Sequence, residues 1–212
     1  MFGSVLAAMS CNISSRAAAD LPKPQADLPA PTEGETSRTA IFAGGCFWCT
    51  EAVFEQLKGV SEVVSGYAGG TKQTGTYETY MNSNHAEAIK ITYDPRQISY
   101  GELLRVLFAI SDPTQKDGQG PDLGHQYRFA IFYENDDQKR VAEAYIKQLT
   151  DAKVYESPIV TTLEPLEQFF EAEAYHQNFV ANNPAQPYVA AVAMPKVKKL
   201  EKAFKDRLKT SR

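Results

Sequence analysis

The pattern of polar and apolar positions divides this chain into two regions that meet near residue 39. Residues 17–37, AAADLPKPQADLPAPTEGETS, carry four prolines among alanines and acidic residues, with almost no large apolar side chain. A segment of that composition cannot bury enough apolar surface to offset the entropy lost on ordering. The pattern therefore predicts a disordered, Pro/Ala-rich tether over residues 1–38 and one folded domain over residues 39–212.

The predicted domain begins with a strand, a glycine turn and a helix. TAIFA, residues 39–43, has the composition of a short buried strand. Gly44 and Gly45 then turn the chain into a helix that we expect to run from about Cys46 to Lys58. Gly59 follows at a position typical of the glycine that ends a helix.

The rest of the domain alternates between strands and helices. HAEAIKITYDP, residues 85–95, alternates with period two and predicts a strand. Ser99 and Glu102 form a capping box that opens a helix over 100–110. The other predicted elements are a strand over 60–67, an irregular segment over 71–84, a polar loop over 111–126, a strand over 127–133, a helix over 137–152, a strand over 157–165, a helix over 167–180 and a helix over 195–208. This interleaving predicts an α/β fold, an α+β two-layer sandwich around one compact sheet.

Composition narrows the class of protein. Of the 212 residues, 43% are hydrophobic and 23% are charged, which is typical of a globular protein. The net charge of −4 gives no reason to expect nucleic acid or an anionic membrane as a partner. No apolar run approaches the roughly 20 residues that a membrane-spanning helix needs. Three cysteines are too few for a disulfide framework, so packing must hold the fold together.

The N-terminal stretch MFGSVLAAMSC ends at Cys11 and has two interpretations. It is the remnant of an export signal, with Cys11 as a lipidated anchor on the proline-rich tether, or it is an untargeted N-terminus. The lack of a basic region and the shortness of the apolar part favour the second interpretation. A cytoplasmic and an exported, lipid-anchored location both stay open.

The candidate chemistry centres on GCFWC, residues 45–49, which holds two of the three cysteines. The glycine turn delivers Cys46 to a helix N-terminus, where unpaired backbone N–H groups stabilise a thiolate. Cys49 lies one turn further along, within bonding reach of Cys46. Phe47 and Trp48 between them suit the wall of an apolar substrate pocket, and the less favoured alternative for Trp48 is that it fills the core. The alternatives are two buried structural cysteines, half of a zinc site or a thioredoxin-like dithiol.

A carboxyl and two tyrosines are further candidates. The isoleucines of the strand over 85–95 mark one face as inward, and period two places Glu87 on that face. Burial raises the pKa of a carboxyl, so we expect Glu87 to serve as a general acid; the alternative is a solvated or ion-paired glutamate. Tyr77 in the irregular segment and Tyr127 after the glycine-rich loop are weaker candidates, because such segments commonly just turn the chain.

Several motifs in order carry a resemblance to a known family. They are GCFWCTE, GYAGG, TY, HAEAIKITYDP, DPTQ, GPDLGHQYR and the C-terminal EAEAYHQNF…NNP. Together they resemble the A-type peptide methionine sulfoxide reductases over residues 39–200. Asn84 stands where the family usually has glycine, and the segment from Tyr77 to His85 is shorter than in many members. Cys49 places the chain closest to the subgroup whose recycling cysteine lies inside the GCFWC motif.

The resemblance implies a compact mixed sheet with a split βαβ, ferredoxin-like core. It also implies reduction of methionine S-sulfoxide, free or in peptides and proteins, with thioredoxin or a similar dithiol as reductant and no metal or organic cofactor. By the same resemblance Cys46 is the nucleophile, Glu87 the general acid and Cys49 the recycling thiol. The implied substrate-binding residues are Phe47 and Trp48 for the methyl group, Tyr77 and Tyr127 for the sulfoxide oxygen, and Asp122.

In the implied reaction, Cys46 becomes a sulfenic acid and then a disulfide with Cys49. The main alternative is a general thiol–disulfide oxidoreductase that uses the same dithiol. That enzyme would tolerate Glu87→Gln, whereas a sulfoxide reductase would not. A non-enzymatic module that binds methionine sulfoxide is the other alternative, and it would turn nothing over.

Overall fold

The computed structural model describes residues 21–210, so Cys11 and the predicted export signal lie outside the described residues. Within that range the strands form a six-stranded sheet and a two-stranded ribbon. The strands are β1 (Arg38–Gly44), β2 (Val60–Ala68), β3 (Ala86–Tyr93), β4 (Gly118–Gln119), β5 (Asp122–Leu123), β6 (Phe129–Tyr133), β7 (Thr162–Pro165) and β8 (Phe169–Glu171). The order in the sheet is β7-β6-β1-β3-β2-β8, and β4 pairs with β5 in the ribbon. Only β6 and β7 pair in parallel, so the main sheet is mixed.

Five α-helices accompany the strands in the described part of the chain. They are α1 (Phe47–Phe54), α2 (Tyr100–Ile110), α3 (Asp136–Asp151), α4 (Phe179–Asn182) and α5 (Met194–Ala203), the last preceded by a π-turn over Val189–Ala193. The four central strands lie in the order β6-β1-β3-β2, with α1 following β1 and α2 following β3. This arrangement is the split βαβ core, and it confirms the predicted mixed α/β class.

The central strand β3 explains where the core lies. Ile89 and Ile91 face the main apolar core, which also contains residues of α1, α2, α3 and α5. The opposite face carries a smaller cluster, in which Ala86 and Ala88 are fully buried. Period two therefore predicted the inward face correctly, and Glu87 lies on it, almost completely buried.

The start of α2 agrees with the predicted cap, whereas the end of α1 does not. The Ser99 hydroxyl accepts a 3.2 Å hydrogen bond from the backbone N–H of Glu102 and caps α2, as predicted. By contrast α1 ends at Phe54 rather than Lys58, because the chain leaves the helix to form a bridge between Leu57 and Leu208. The prediction that Gly59 ends this helix was therefore wrong, and Gly59 lies in the turn that leads into β2.

The helix predicted over residues 167–180 was also wrong. Its first part is the edge strand β8, and a short 3₁₀ turn over Ala174–His176 follows. Gly66 of β2 allows this pairing, because a side chain there would clash with the Phe170 carbonyl and the Phe169 ring. The partner of this strand, β2, is distant in sequence, so no local pattern marks the pairing.

Residues 21–37 differ from the predicted tether, because they lie against the domain. Leu21 is buried in the main core, and its carbonyl oxygen accepts a hydrogen bond from Arg105 of α2. The Tyr145 hydroxyl of α3 donates to the Pro22 carbonyl, and Asp27 accepts from the N–H of Gly101. The prediction of disorder thus fails for this part of the tail.

Candidate active site

The β1–α1 turn presents Cys46 at the first position before the helix. Gly45 in that turn has φ of +90°, which L side chains rarely adopt, and a side chain there would collide with Gln119. Cys46 is the N-cap of α1 and is buried, as is Cys49 on the next turn. Both thiols are free, and the backbone N–H of Cys49 donates to the Cys46 carbonyl at 3.1 Å. The structure therefore brings the two cysteines together at a helix start, as the sequence predicted.

Glu87 reaches the same helix start from β3. Its Oε2 accepts a 3.0 Å hydrogen bond from the backbone N–H of Phe47, the residue directly after Cys46. Its Oε1 accepts a 2.6 Å hydrogen bond from the Tyr80 hydroxyl. The side chain is 3% exposed, and burial raises its pKa to about 7 despite these two donors. A carboxyl beside the thiol can therefore hold a proton near neutrality and release it to a bound molecule.

The tyrosine beside Glu87 differs from the one expected. Tyr80 is 1% exposed and carries the hydroxyl that binds Glu87, whereas Tyr77 is 37% exposed and stacks on the outer side of Tyr80. Tyr127 lies within hydrogen-bonding reach of Tyr80. Burial raises the pKa of Tyr127, and the Glu87 charge adds to this rise. Tyr80 and Tyr127 thus form the hydroxyl pair at this carboxyl, in place of the predicted Tyr77 and Tyr127.

Phe47 and Trp48 form an aromatic wall beside the thiols. Phe47 is buried, and Trp48 is partly exposed and stacks on Phe179 at 3.7 Å between ring centroids. The Trp48 indole N–H donates to Nδ1 of His176 at 3.1 Å. Burial lowers the pKa of His176, which favours the neutral ring that this bond needs. The wall is therefore held in place from behind by the C-terminal part of the chain.

The β4–β5 ribbon brings Asp122 to the site. The Gln119 side chain exchanges two hydrogen bonds with the backbone of Asp112 and fixes the ribbon at the end of α2. Asp122 Oδ2 accepts a 2.7 Å hydrogen bond from the Tyr188 hydroxyl, which in turn lies 3.7 Å from the Cys49 sulfur. Asp122 therefore contacts the site through Tyr188, a residue that the sequence analysis did not single out.

The electrostatic state of the two thiols departs from the expectation for Cys46. Burial raises the pKa of Cys46, with contributions from the Cys49 thiol and Glu87. The first N–H of α1, that of Phe47, donates to Glu87 and not to the thiol. The Cys46 thiol and the charge of Lys196 lower the pKa of Cys49 against the effect of burial. The pKa values of the two thiols therefore shift in opposite directions.

Four residues of the candidate active site were not predicted from the sequence: Tyr80, His176, Tyr188 and Lys196. Tyr80 follows Tyr77 in TYETY. The short segment from Tyr77 to His85 was the available signal that a tyrosine other than Tyr77 lies at the site. The ammonium of Lys196 on α5 lies 3.4 Å from the Gly44 carbonyl. No local pattern marks this residue, because the fold alone brings α5 to the β1–α1 turn.

Residues 21–210 contain neither a candidate metal cluster nor a candidate membrane-spanning helix. No cluster of three or more histidine, cysteine or acidic side chains there is arranged to hold a metal ion. Within the same range, no helix combines the length and apolar character that crossing a membrane requires.

Comparison with protein families gives an independent finding. Residues 38–208 match the family model described as "Peptide methionine sulfoxide reductase". The chain is 52% identical over 171 residues to peptide methionine sulfoxide reductase MsrA 2 of Mesorhizobium japonicum, covering 79% of this chain and 88% of the relative. It is 50% identical over 172 residues to the protein named MsrA from Thermus thermophilus, covering 80% of this chain and 97% of that one.

Solved structures show the same similarity in three dimensions. Methionine sulfoxide reductase A of Corynebacterium diphtheriae aligns with a TM-score of 0.62 at 30% identity, covering 78% of this chain and 84% of the other. Reduced Mxr1 from Saccharomyces cerevisiae aligns with a TM-score of 0.63 at 29% identity, covering 74% of this chain and 91% of the other. The fold described above is therefore similar to that of these reductases.

Proposed function

Since the chain belongs to the peptide methionine sulfoxide reductase family and reduces methionine S-sulfoxide to methionine, we propose that Cys46, Glu87 and Cys49 carry out that reaction. The observation that supports this assignment is the 3.0 Å hydrogen bond from the Phe47 N–H to Glu87. It holds a buried carboxyl of raised pKa beside the residue that bears the thiol.

Substrate binding uses the aromatic wall and the two hydroxyls. We assign the methyl group of the sulfoxide to the Phe47 and Trp48 rings, and Tyr188 with its partner Asp122 lies beside Cys49. Tyr127 donates a hydrogen bond to the sulfoxide oxygen, and Tyr80, whose hydroxyl donates to Glu87, takes the place expected of Tyr77 by holding the carboxyl that supplies the second hydrogen bond. These donors stabilise the negative charge that develops on the oxygen during attack.

Oxygen transfer requires a proton donor, because the sulfur of a sulfoxide is a poor electrophile until its oxygen is protonated. Glu87 gives its proton to the oxygen as Cys46 Sγ attacks the sulfur, and the carboxylate so formed takes up the thiol proton. Attack joins the two sulfurs, and this S–S bond and the S–O bond of the substrate then break as the hydroxyl oxygen bonds to Cys46 Sγ. Methionine leaves reduced by two electrons, and Cys46 remains as a sulfenic acid, oxidised by two electrons.

Recycling begins at Cys49. Its sulfur attacks the Cys46 sulfenic acid, an S–S bond forms, and the hydroxyl leaves as water with one proton. An external dithiol then reopens the disulfide by exchange and is itself oxidised to a disulfide. We propose thioredoxin or a protein of the same dithiol chemistry as that reductant. The mechanism uses no nucleic acid and no metal or organic cofactor.

Single-turnover chemistry tests the assignment of the two cysteines. In Cys49→Ser, one equivalent of methionine S-sulfoxide should yield one methionine per enzyme and add one oxygen to Cys46, as detected by mass spectrometry. Steady-state turnover with thioredoxin should be lost. Continued turnover of Cys49→Ser with thioredoxin would show that Cys49 is dispensable and would contradict the recycling step.

Glu87→Gln tests the general acid and separates this enzyme from a general thiol–disulfide oxidoreductase. Loss of a general acid lowers the rate by about 10²- to 10⁴-fold. Glu51→Gln is the matched control, since Glu51 is also buried and burial raises its pKa to about 7, yet it lies on α1 after the reacting residues. Equal activity of the two variants on the sulfoxide would refute the role of Glu87.

A further inference from the structure

A row of aromatic rings leads from the reacting thiol to the molecular surface. The Phe47 ring lies 5.1 Å from the ring of His176, which lies 4.5 Å from Tyr77 and 4.2 Å from Tyr175. Tyr77 and Tyr175 meet edge to face with centroids 6.4 Å apart. We call these two residues the outer aromatic patch. It is continuous with the wall of the proposed substrate pocket.

The outer aromatic patch is exposed, although the rings behind it are not. Tyr175 is 61% exposed and Tyr77 is 37% exposed, whereas His176 is buried. Tyrosine rings presented in this way are suited to covering an apolar side chain at low entropic cost. The His176 ring separates Tyr175 from Phe47, so Tyr175 lies one ring further from the thiol-bearing turn than His176 does. The patch therefore offers contact area to a substrate that extends past the aromatic wall.

The charge around the patch is negative. Desolvation together with the nearby charges of Glu173 and Glu78 raises the pKa of the Tyr175 phenol. The Glu173 carboxylate is anchored by the Tyr67 hydroxyl and by the backbone N–H of Tyr77, so it stays beside the patch. An acidic side chain placed there would be repelled, whereas an apolar one would not.

We propose that the outer aromatic patch is a subsite for an apolar side chain that neighbours methionine sulfoxide in a peptide or an unfolded protein segment. The inference rests on the proposed function, because it extends the same pocket. It assigns Tyr175 to the selection of sequence context, with no part in oxygen transfer.

Blocked pentapeptides with methionine S-sulfoxide at the centre test the subsite. Their two flanking positions carry glycine, phenylalanine or aspartate, and free methionine S-sulfoxide is the fourth substrate. The wild type should show a kcat/KM about 3- to 10-fold higher for phenylalanine than for glycine flanks, and the lowest value for aspartate flanks. Tyr175→Ala should abolish the preference for phenylalanine and leave the free sulfoxide unchanged.

Two further variants are controls, one for the aromatic ring of Tyr175 and one for the loss of an exposed apolar side chain elsewhere. Tyr175→Phe keeps the ring and should keep the preference. Val160→Ala truncates another exposed apolar residue, on the segment before β7, and should also keep it.

Three results would overturn the inference. The first is an unchanged preference for phenylalanine in Tyr175→Ala. The second is an equal loss of kcat/KM on all four substrates, which would show that Tyr175 only supports the aromatic wall. The third is a higher KM for thioredoxin alone, which would show that the patch binds the reductant. A wild type that reduces none of the substrates would instead refute the proposed function, and this inference with it.

Discussion

The hydroxyl of Tyr80 donates a 2.6 Å hydrogen bond to Oε1 of Glu87, although the two residues reach the site from different segments. Tyr80 belongs to a 3₁₀ turn in the irregular segment, and Glu87 belongs to the central strand β3. The bond orients the carboxyl whose other oxygen is held by the Phe47 N–H. Both carboxyl oxygens of Glu87 are thus held by hydrogen bonds before substrate binds, which limits the reorganisation needed during proton transfer.

The first prediction distinguishes the catalytic contribution of the Tyr80 hydroxyl from that of the Tyr77 hydroxyl. Tyr80→Phe removes a buried donor to a charged group, so kcat/KM for methionine S-sulfoxide should fall by about 10- to 100-fold. Tyr77→Phe keeps the outer ring and should leave this value within about 2-fold, because hydroxyls of exposed side chains contribute little. A larger loss in Tyr77→Phe than in Tyr80→Phe would restore the role first expected for Tyr77.

The second prediction concerns the pH dependence of the reduction step. Glu87 acts in its protonated form and has a pKa raised to about 7, so the single-turnover rate should fall as pH rises through about 7. The Tyr80 hydrogen bond stabilises the carboxylate and opposes this rise of the pKa. Tyr80→Phe should therefore move the decline to higher pH, and a shift to lower pH would contradict the assignment. Stopped-flow measurement of Trp48 fluorescence can follow the step.

The third prediction concerns Lys196 and the recycling thiol. The positive charge of Lys196 lowers the pKa of Cys49, so Lys196→Met should raise that pKa and slow disulfide formation by about 10-fold near pH 7. The preceding release of methionine should keep its rate, and raising the pH to about 9 should restore disulfide formation. Lys198→Met, an exposed lysine on the same helix, is the control. Rapid acid quench followed by thiol labelling measures the disulfide.

The fourth prediction concerns stability and the buried carboxyl of Glu51. Its pKa is about 7 in the folded protein, above the ordinary value of 4.5, so the folded state binds a proton more tightly than the unfolded state. The free energy of unfolding should therefore fall as pH rises from about 4.5 to about 7. Glu51→Gln cannot ionise and should be about 2 kcal/mol less sensitive to pH over this range. Urea titrations at pH 5 and pH 8 measure the free energy of unfolding of both proteins. An equal change with pH in the wild type and Glu51→Gln would refute the prediction.

The fifth prediction concerns residues 21–37. Leu21→Ala opens a cavity in the main core and should lower the free energy of unfolding by about 2 to 3 kcal/mol. Lys23→Ala, an exposed side chain in the same segment, should change it by less than about 0.5 kcal/mol. Deletion through residue 37 should reduce stability relative to deletion through residue 20. Equal stability of the two deletions would show that the segment is not bound to the domain.

The sequence alone determined the features that depend on near neighbours along the chain. Period two in the strand over 85–95 identified the buried face that carries Glu87. The capping box at Ser99 located the start of α2, and the glycine turn placed Cys46 at the start of α1. Each of these signals is local, because side-chain direction and hydrogen bonding within an element repeat over a few residues.

Only the tertiary structure decided which distant groups meet. It selected Tyr80 over Tyr77, added Tyr188 and Lys196 from the C-terminal segment, and directed the helix N–H to Glu87 instead of the thiol. It also joined β8 to β2, where local spacing had indicated a helix. These outcomes depend on burial and on partners remote in sequence, and both arise only once the chain has folded.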